Sequence, residues 1–189
     1  DFGPNNRVWF SFRKYSNEDD DIVSSGGIKI LDYNNTIFDT TDDEWLEIKN
    51  PEELDSPDIN IWSLVFSENL NEDILWILTS NGVQGYIVND LELIKYPEPF
   101  YENLYFDQSD KLKTDSQNNI WVITRHSGVR VISQDTSPWP TPEGITTENS
   151  SILSNIVYDV AFNENNGEVY FATEKGISIF QSPFSKNPE

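Results

Sequence analysis

The chain of 189 residues carries 33 acidic against 12 basic side chains, one histidine and a formal net charge of −21. A field of that sign repels nucleic acid and anionic membrane, because phosphate binding needs Lys and Arg to neutralise it. The absence of cysteine rules out disulfides and thiolate chemistry, and no apolar run approaches the roughly 18 residues of a spanning helix. Length suggests one domain or one and a fraction. An aromatic content of 13% fits a packed chain. The opening Asp1-Phe2-Gly3-Pro4 falls in mid-pattern and reads as a piece of a longer protein.

The first apolar strand is expected at residues 6–10, then a long polar turn at 16–25, a strand at 26–31 and an edge strand at 45–48. Loops bearing Pro51 and Pro57 lead to a strand at 60–66 and a polar turn at 67–73. The run 74–79 then turns through Ser80, Asn81 and Gly82 into a strand from Val83, and 92–96 is a further edge strand closed by Pro97 and Pro99. The third pass has strands at 103–106 and 112–114, a turn at 115–118, a strand at 119–123, a turn at 124–128 and a strand from Val129. A loop with Pro138, Pro140 and Pro142 follows. The fourth has strands at 155–162, 168–173 and 176–180.

The passes repeat. Gly27, Gly82, Gly128 and Gly176 close the four turns at separations of 55, 46 and 48 residues. Val, Ile, Trp, Tyr and Phe dominate the strands, as a pleated, half-buried surface prefers. The glycines supply the positive φ that tight connections require. Val169, Phe171 and Thr173 alternate with Tyr170 and Ala172, so they occupy opposite faces. Four antiparallel strands per unit of roughly 45 residues are the signature of a propeller blade, and no stretch has sustained helical periodicity. The expected fold is therefore all-β, a β-propeller portion of about four blades spanning 1–57, 58–99, 100–142 and 143–189. The first blade lacks its inner strand and the last its outer strand, as in an arc of a larger ring. A β-sandwich of the same strands is the competing architecture.

One pattern recurs: an Asn opens the inner strand, a Trp or Tyr sits in the next, and Thr, two or three residues and Gly form the turn. It runs through 154–163 and 167–180, with Asn155, Tyr170, Thr173 and Gly176, and its Trp, Thr and Gly return in the second and third copies. In this the chain resembles the two-component regulator propeller repeat. The first copy departs from it, with Ser11 and Phe12 after its strand and a long acidic turn. The tail at 176–184 is similar to the end of the PorZ-like propeller proteins of the type IX secretion system. The resemblance implies a bacterial, extracytoplasmic setting (periplasm, cell surface or secreted) and a sensing or protein-binding role.

Candidate ligand residues sit in turns and loops, where propellers carry ligands. Arg125 and His126 form a donor pair suited to an anionic or sugar ligand, against the reading of an ordinary exposed turn. Lys175 and Asn81 occupy equivalent turns. Tyr101 and Trp139 lie in proline-rich loops, where an aromatic can stack on a sugar or peptide, although Trp139 could equally cover a blade edge. Trp9, Trp76, Trp121 and Tyr170 share one repeat position, which argues for packing between blades. The turn holding Asp19, Asp20 and Asp21 offers oxygen ligands for calcium but lacks the spacing of a calcium loop. A lone His without Cys disfavours zinc. No Ser-His-Asp arrangement, nucleophile elbow or phosphate-cradling loop occurs. The expectation is a non-catalytic module without cofactor that binds a glycan, peptide or protein. A carbohydrate-active enzyme of propeller type and a structural cell-surface repeat are the alternatives.

Overall fold

Backbone pairing in the computed structural model explains why the passes look alike. The model describes residues 1–19, 22–46, 48, 60–69, 71–97 and 99–186. Four antiparallel sheets form, each a meander of consecutive strands, as in a propeller blade. The first holds β1 (Val8–Ser16), β2 (Ile22–Asp32) and β3 (Glu44–Leu46). The second holds β4 (Ile61–Asn69), β5 (Glu72–Thr79), β6 (Gly82–Asn89) and β7 (Glu92–Lys95). The third holds β8 (Lys111–Thr114), β9 (Ile120–Ile123), β10 (Val129–Ile132) and β11 (Pro138–Trp139). The fourth holds β12 (Val157–Asn163), β13 (Glu168–Thr173) and β14 (Gly176–Gln181). Matched by their turns, the first sheet lacks the strand equivalent to β4, and the fourth lacks the one equivalent to β7 among the described residues.

The chain forms two compact units, Asp1–Asp107 and Gln108–Glu189, each with two of the sheets. In the first unit, Trp9, Ile28 and Ile30 pack against Leu64, Leu75, Ile77, Tyr86 and Leu93 of the second sheet. Trp9 meets Phe66 edge-on at 5.3 Å. Arg7 ties the sheets electrostatically, its Nε 3.1 Å from Asp32 and its Nη1 2.6 Å from Asp90. In the second unit, Trp121, Ile123, Val129 and Val131 pack on Val157, Val160, Val169 and Phe171. Trp121 is fully buried against the rings of Phe162 and Phe171. Each of these tryptophans therefore fills the space between neighbouring blades. Trp76 packs on Tyr96 and Phe100, over Gly85, where a Cβ would come within 3.0 Å of the indole.

A threonine holds the turn in the second, third and fourth sheets. Thr79, Thr124 and Thr173 donate their hydroxyls to the carbonyls of Gly82, Gly128 and Gly176 at 3.3, 2.9 and 2.7 Å. Each hydroxyl also accepts a backbone N–H from within the turn, from Asn81, Ser127 and Lys175. The Thr-to-Gly spacing of the sequence is thus a hydrogen-bonded clamp. The inner strands repeat as well, since β4 and β12 carry equivalent bulges between Ile61 and Ser63 and between Val157 and Asp159.

Four expectations are corrected. The long turn at 16–25 is mostly ladder, because Lys14, Tyr15 and Ser16 pair with Ser25, Ser24 and Ile22. Gly27 consequently lies inside β2 opposite Phe12 and closes no turn. Backbone hydrogen bonds extended this hairpin where side-chain polarity had suggested a loop. The strand at 103–106 does not form: Tyr101 has φ +58 and its carbonyl accepts the Leu104 N–H at 3.0 Å, which makes a turn. Trp139 is in an edge strand, opposite Val131, and not in a loop.

Candidate functional site

The Asn81 turn and the chain after β7 together build a concave surface in the first unit. Gly82 has φ +109, and a Cβ there would stand 2.5 Å from the Phe100 carbonyl oxygen. Only glycine permits that approach. Val83 and Phe100 exchange both backbone hydrogen bonds, at 2.8 and 2.7 Å, which fixes Pro99 and Glu102 beside the turn. Below it, Ile77, Gln84, Tyr86 and Lys95 share one sheet face, since Ile77 pairs with Gln84 and Tyr86 with Lys95. The result is a half-open cleft of about 450 Å³ lined by these residues with Thr79, Asn81, Gly82, Pro99 and Glu102. Its size falls in the ordinary range of small-ligand sites, about 300–1,000 Å³.

Gln84 is buried, and its Nε2 donates to the carbonyls of Gly85 and Tyr96 at 2.9 and 3.1 Å. Both amide hydrogens are thereby used and the amide plane is set, with Oε1 unpaired among the described residues. The side chains of Asn81, Lys95 and Glu102 make no hydrogen bond or ion pair with the other described residues. One ammonium, one carboxylate and two amides thus line the cleft together with Ile77 and Tyr86. That set offers donors and acceptors to a polar ligand.

The second unit holds the other turn candidates. The turn between β9 and β10 is one residue longer than those at Asn81 and Lys175, and the extra length projects Arg125 and His126 into solvent. The Arg125 guanidinium lies over the Tyr158 ring, 4.9 Å from its centroid, while its backbone N–H donates to Asp110 at 2.9 Å. His126 Nδ1 lies 4.0 Å from the buried Asp110 carboxylate. Lys175 is exposed in the β13–β14 turn. Asn155 spans the base of these loops: its carbonyl accepts the Gly128 N–H and its side chain accepts the Thr147 N–H.

The remaining candidates are placed differently. Tyr101 is half-buried beside Phe100, its ring centroid 6.3 Å away, next to the cleft rather than lining it. Trp139 packs on Phe180 and Phe184 at 6.1 and 4.8 Å, so its ring serves the blade edge. Asp19 is exposed and its N–H donates to Asn17 Oδ1; Asp20 and Asp21 lie outside the described residues. Among the described residues no three His, Cys, Asp or Glu side chains converge as a metal site would require. Sequence reading missed Gln84, Lys95 and Glu102. The one local signal was Gln84, a polar residue at a core-facing register inside an apolar strand.

No protein-family model matches the sequence, and no curated protein matches it. Among solved structures, the chain is similar to PorZ, an essential bacterial surface component of the type-IX secretion system of Porphyromonas gingivalis. The TM-score is 0.69 at 21% identity, over 99% of this chain and 26% of that one. It is also similar to the extracellular domain of the hybrid two-component system BT3049 from B. thetaiotaomicron, with TM-score 0.51 and 20% identity over 87% of this chain and 21% of that one. The chain therefore spans about a quarter of the length of the proteins it matches. These likenesses show an all-β fold of antiparallel sheets matching part of a propeller protein.

Proposed function

We propose that this chain is a non-catalytic, extracytoplasmic propeller module that binds a small polar ligand or peptide in the cleft at Asn81. The observation that carries this reading is the cleft itself, lined by Lys95, Glu102, Asn81 and Gln84 together with Ile77 and Tyr86. The extracytoplasmic setting rests on likeness to a bacterial surface component and to an extracellular sensor domain. A role in sensing or in secretion is carried over from those proteins alone. Arg125 and His126, exposed in the β9–β10 turn of the other unit, are a second candidate contact, suited to a protein partner.

The test is a thermal-shift screen of the full chain against neutral and anionic oligosaccharides and short peptides. A ligand at about 100 times its Kd stabilises by roughly 2.7 kcal/mol, which raises Tm by several degrees in a chain of this size. The expected hit loses its effect in N81A and K95A and keeps it in K175A. A shift that survives N81A and K95A, or no shift with any compound, would overturn the cleft as the site.

A further inference from the structure

The groups lining the cleft at Asn81 follow one another in a fixed order along β6, and that order specifies a ligand. The Glu102 backbone stands at the turn end, where a Cβ on Gly82 would come within 3.1 Å of the Glu102 Cα. Gln84 is two residues further along the strand, opposite Ile77. Lys95 is at the far end, opposite Tyr86. With a rise of about 3.3 Å per residue, Gln84 stands about 7 Å and Lys95 about 13 Å along β6 from the Glu102 end. A carboxylate, an amide and an ammonium thus line one cleft in that order.

The middle group is the most constrained of the three. Both partners of Gln84 Nε2 are carbonyl oxygens, those of Gly85 and Tyr96. A carbonyl can only accept, so the amide cannot be turned over, and the atom left unpaired among the described residues is an acceptor. Gln84 is only 7% exposed. A ligand that covers Oε1 without supplying an N–H or O–H there would leave a buried acceptor unsatisfied, which is costly.

The two ends carry opposite charges. Lys95 and Glu102 are both exposed, and neither makes an ion pair with another described residue. A ligand of a single charge meets its own sign at one end, and a neutral oligosaccharide leaves both ends without a counter-charge. A ligand with an ammonium at one end, a carboxylate at the other and a donor between them satisfies all three groups. A short peptide with free termini has that form. An extended chain advances at most about 3.6 Å per residue, so three or four residues match the spacing.

We propose that the cleft holds a tripeptide or tetrapeptide with free ends, its ammonium at Glu102, an internal N–H on Gln84 Oε1 and its carboxylate at Lys95. The peptide then runs parallel to β6. This rests on the cleft being the binding site, and it adds the chemical class and the direction that the cleft reads. An internal segment of a longer chain offers neither terminal charge and is refused.

The experiment is isothermal titration of the full chain with trialanine, tetraalanine and Ala-Leu-Ala, each in free, N-acetylated, C-amidated and doubly blocked form. The free peptides should bind, and each block should weaken binding about tenfold or more, the scale of a lost charge-assisted hydrogen bond. E102Q should abolish the penalty of acetylation and keep that of amidation, and K95Q should do the reverse. Both replaced side chains are exposed, so far-ultraviolet circular dichroism should not change. Blocked peptides that bind as well as free ones overturn the proposal, as does an oligosaccharide that binds where no peptide does. If that binding is lost in N81A and K95A, the cleft itself still stands as the site. Free-peptide binding untouched by N81A, E102Q and K95Q overturns the proposal and the cleft together.

Discussion

The third and fourth sheets share a turn motif and a strand pattern, yet their equivalent residues sit in different surroundings. Gly128 and Gly176 both have positive φ, +76 and +118. A Cβ on Gly128 would lie 2.3 Å from the Ile145 carbonyl oxygen, because the chain after β11 returns to pair with Val129. On Gly176 it would meet nothing closer than a Leu153 methyl at 3.8 Å. Trp121 is sealed between sheets, whereas Tyr170 stays half-exposed and donates its hydroxyl to Glu168 at 2.7 Å. One motif can thus be an anchor in one blade and a surface feature in the next, because neighbours decide what a side chain is worth.

Replacing the anchors tests that difference most severely. W121A should cost about 3–5 kcal/mol, the usual loss for a buried aromatic, and Y170A only a small fraction of that in urea unfolding. Equal losses would show that repeat position, and not burial, sets the energy. G128A should cost about 2–4 kcal/mol, combining a backbone clash with a disfavoured φ, while G176A pays only for the φ, about 1 kcal/mol.

The turn before Trp121 offers a finer test. The buried Asp115 carboxylate accepts the N–H groups of Gln117 and Asn119, the Asn119 amide and the Trp121 indole N–H, at 2.8–3.0 Å. D115A leaves these donors without an acceptor and should cost about 1–3 kcal/mol. A Tm unchanged from wild type would mean that water replaces the carboxylate freely.

The smallest expected effect lies between these two sheets. Burial pushes the Asp159 carboxyl up, but the Lys113 ammonium, the Val160 N–H and Lys111 outweigh it and hold the group below its usual value. Lys113 Nζ stands 2.7 Å from that carboxylate and also donates to the Val160 carbonyl. A lowered folded pKa contributes stability above the unfolded value, near 4, and loses it as pH falls through the folded value. The pair is half-exposed, so D159N should cost less than about 1 kcal/mol at neutral pH. The difference from wild type should vanish in acid, and a gap that persists there would remove the ion pair as its cause.

Much of this was legible locally. The Thr-to-Gly spacing foretold the turns because the clamp is made within four or five residues, and the alternation at Val169, Phe171 and Thr173 foretold a half-buried strand because successive side chains point to opposite faces. Gly27 misled because a ladder of backbone bonds, which polar side chains do not prevent, carried the first hairpin past it. Trp139 misled because a residue flanked by Pro138 and Pro140 looks like a loop until Val131 and Ile132 offer Pro138 and Trp139 an edge. In the cleft, Asn81 was visible as a turn residue. Lys95 and Glu102 were not, because they reach it from different segments, brought there by the Val83–Phe100 pairing.

By itself, then, the sequence determined the repeat, the all-β class and the turns at Gly82, Gly128 and Gly176, all of which follow from short-range periodicity and turn chemistry. The tertiary structure alone decided which copies of the repeated aromatic are covered, which glycines are indispensable, and which polar groups meet in one cleft. These depend on segments distant in sequence approaching within a few ångströms, and no spacing along the chain encodes that approach.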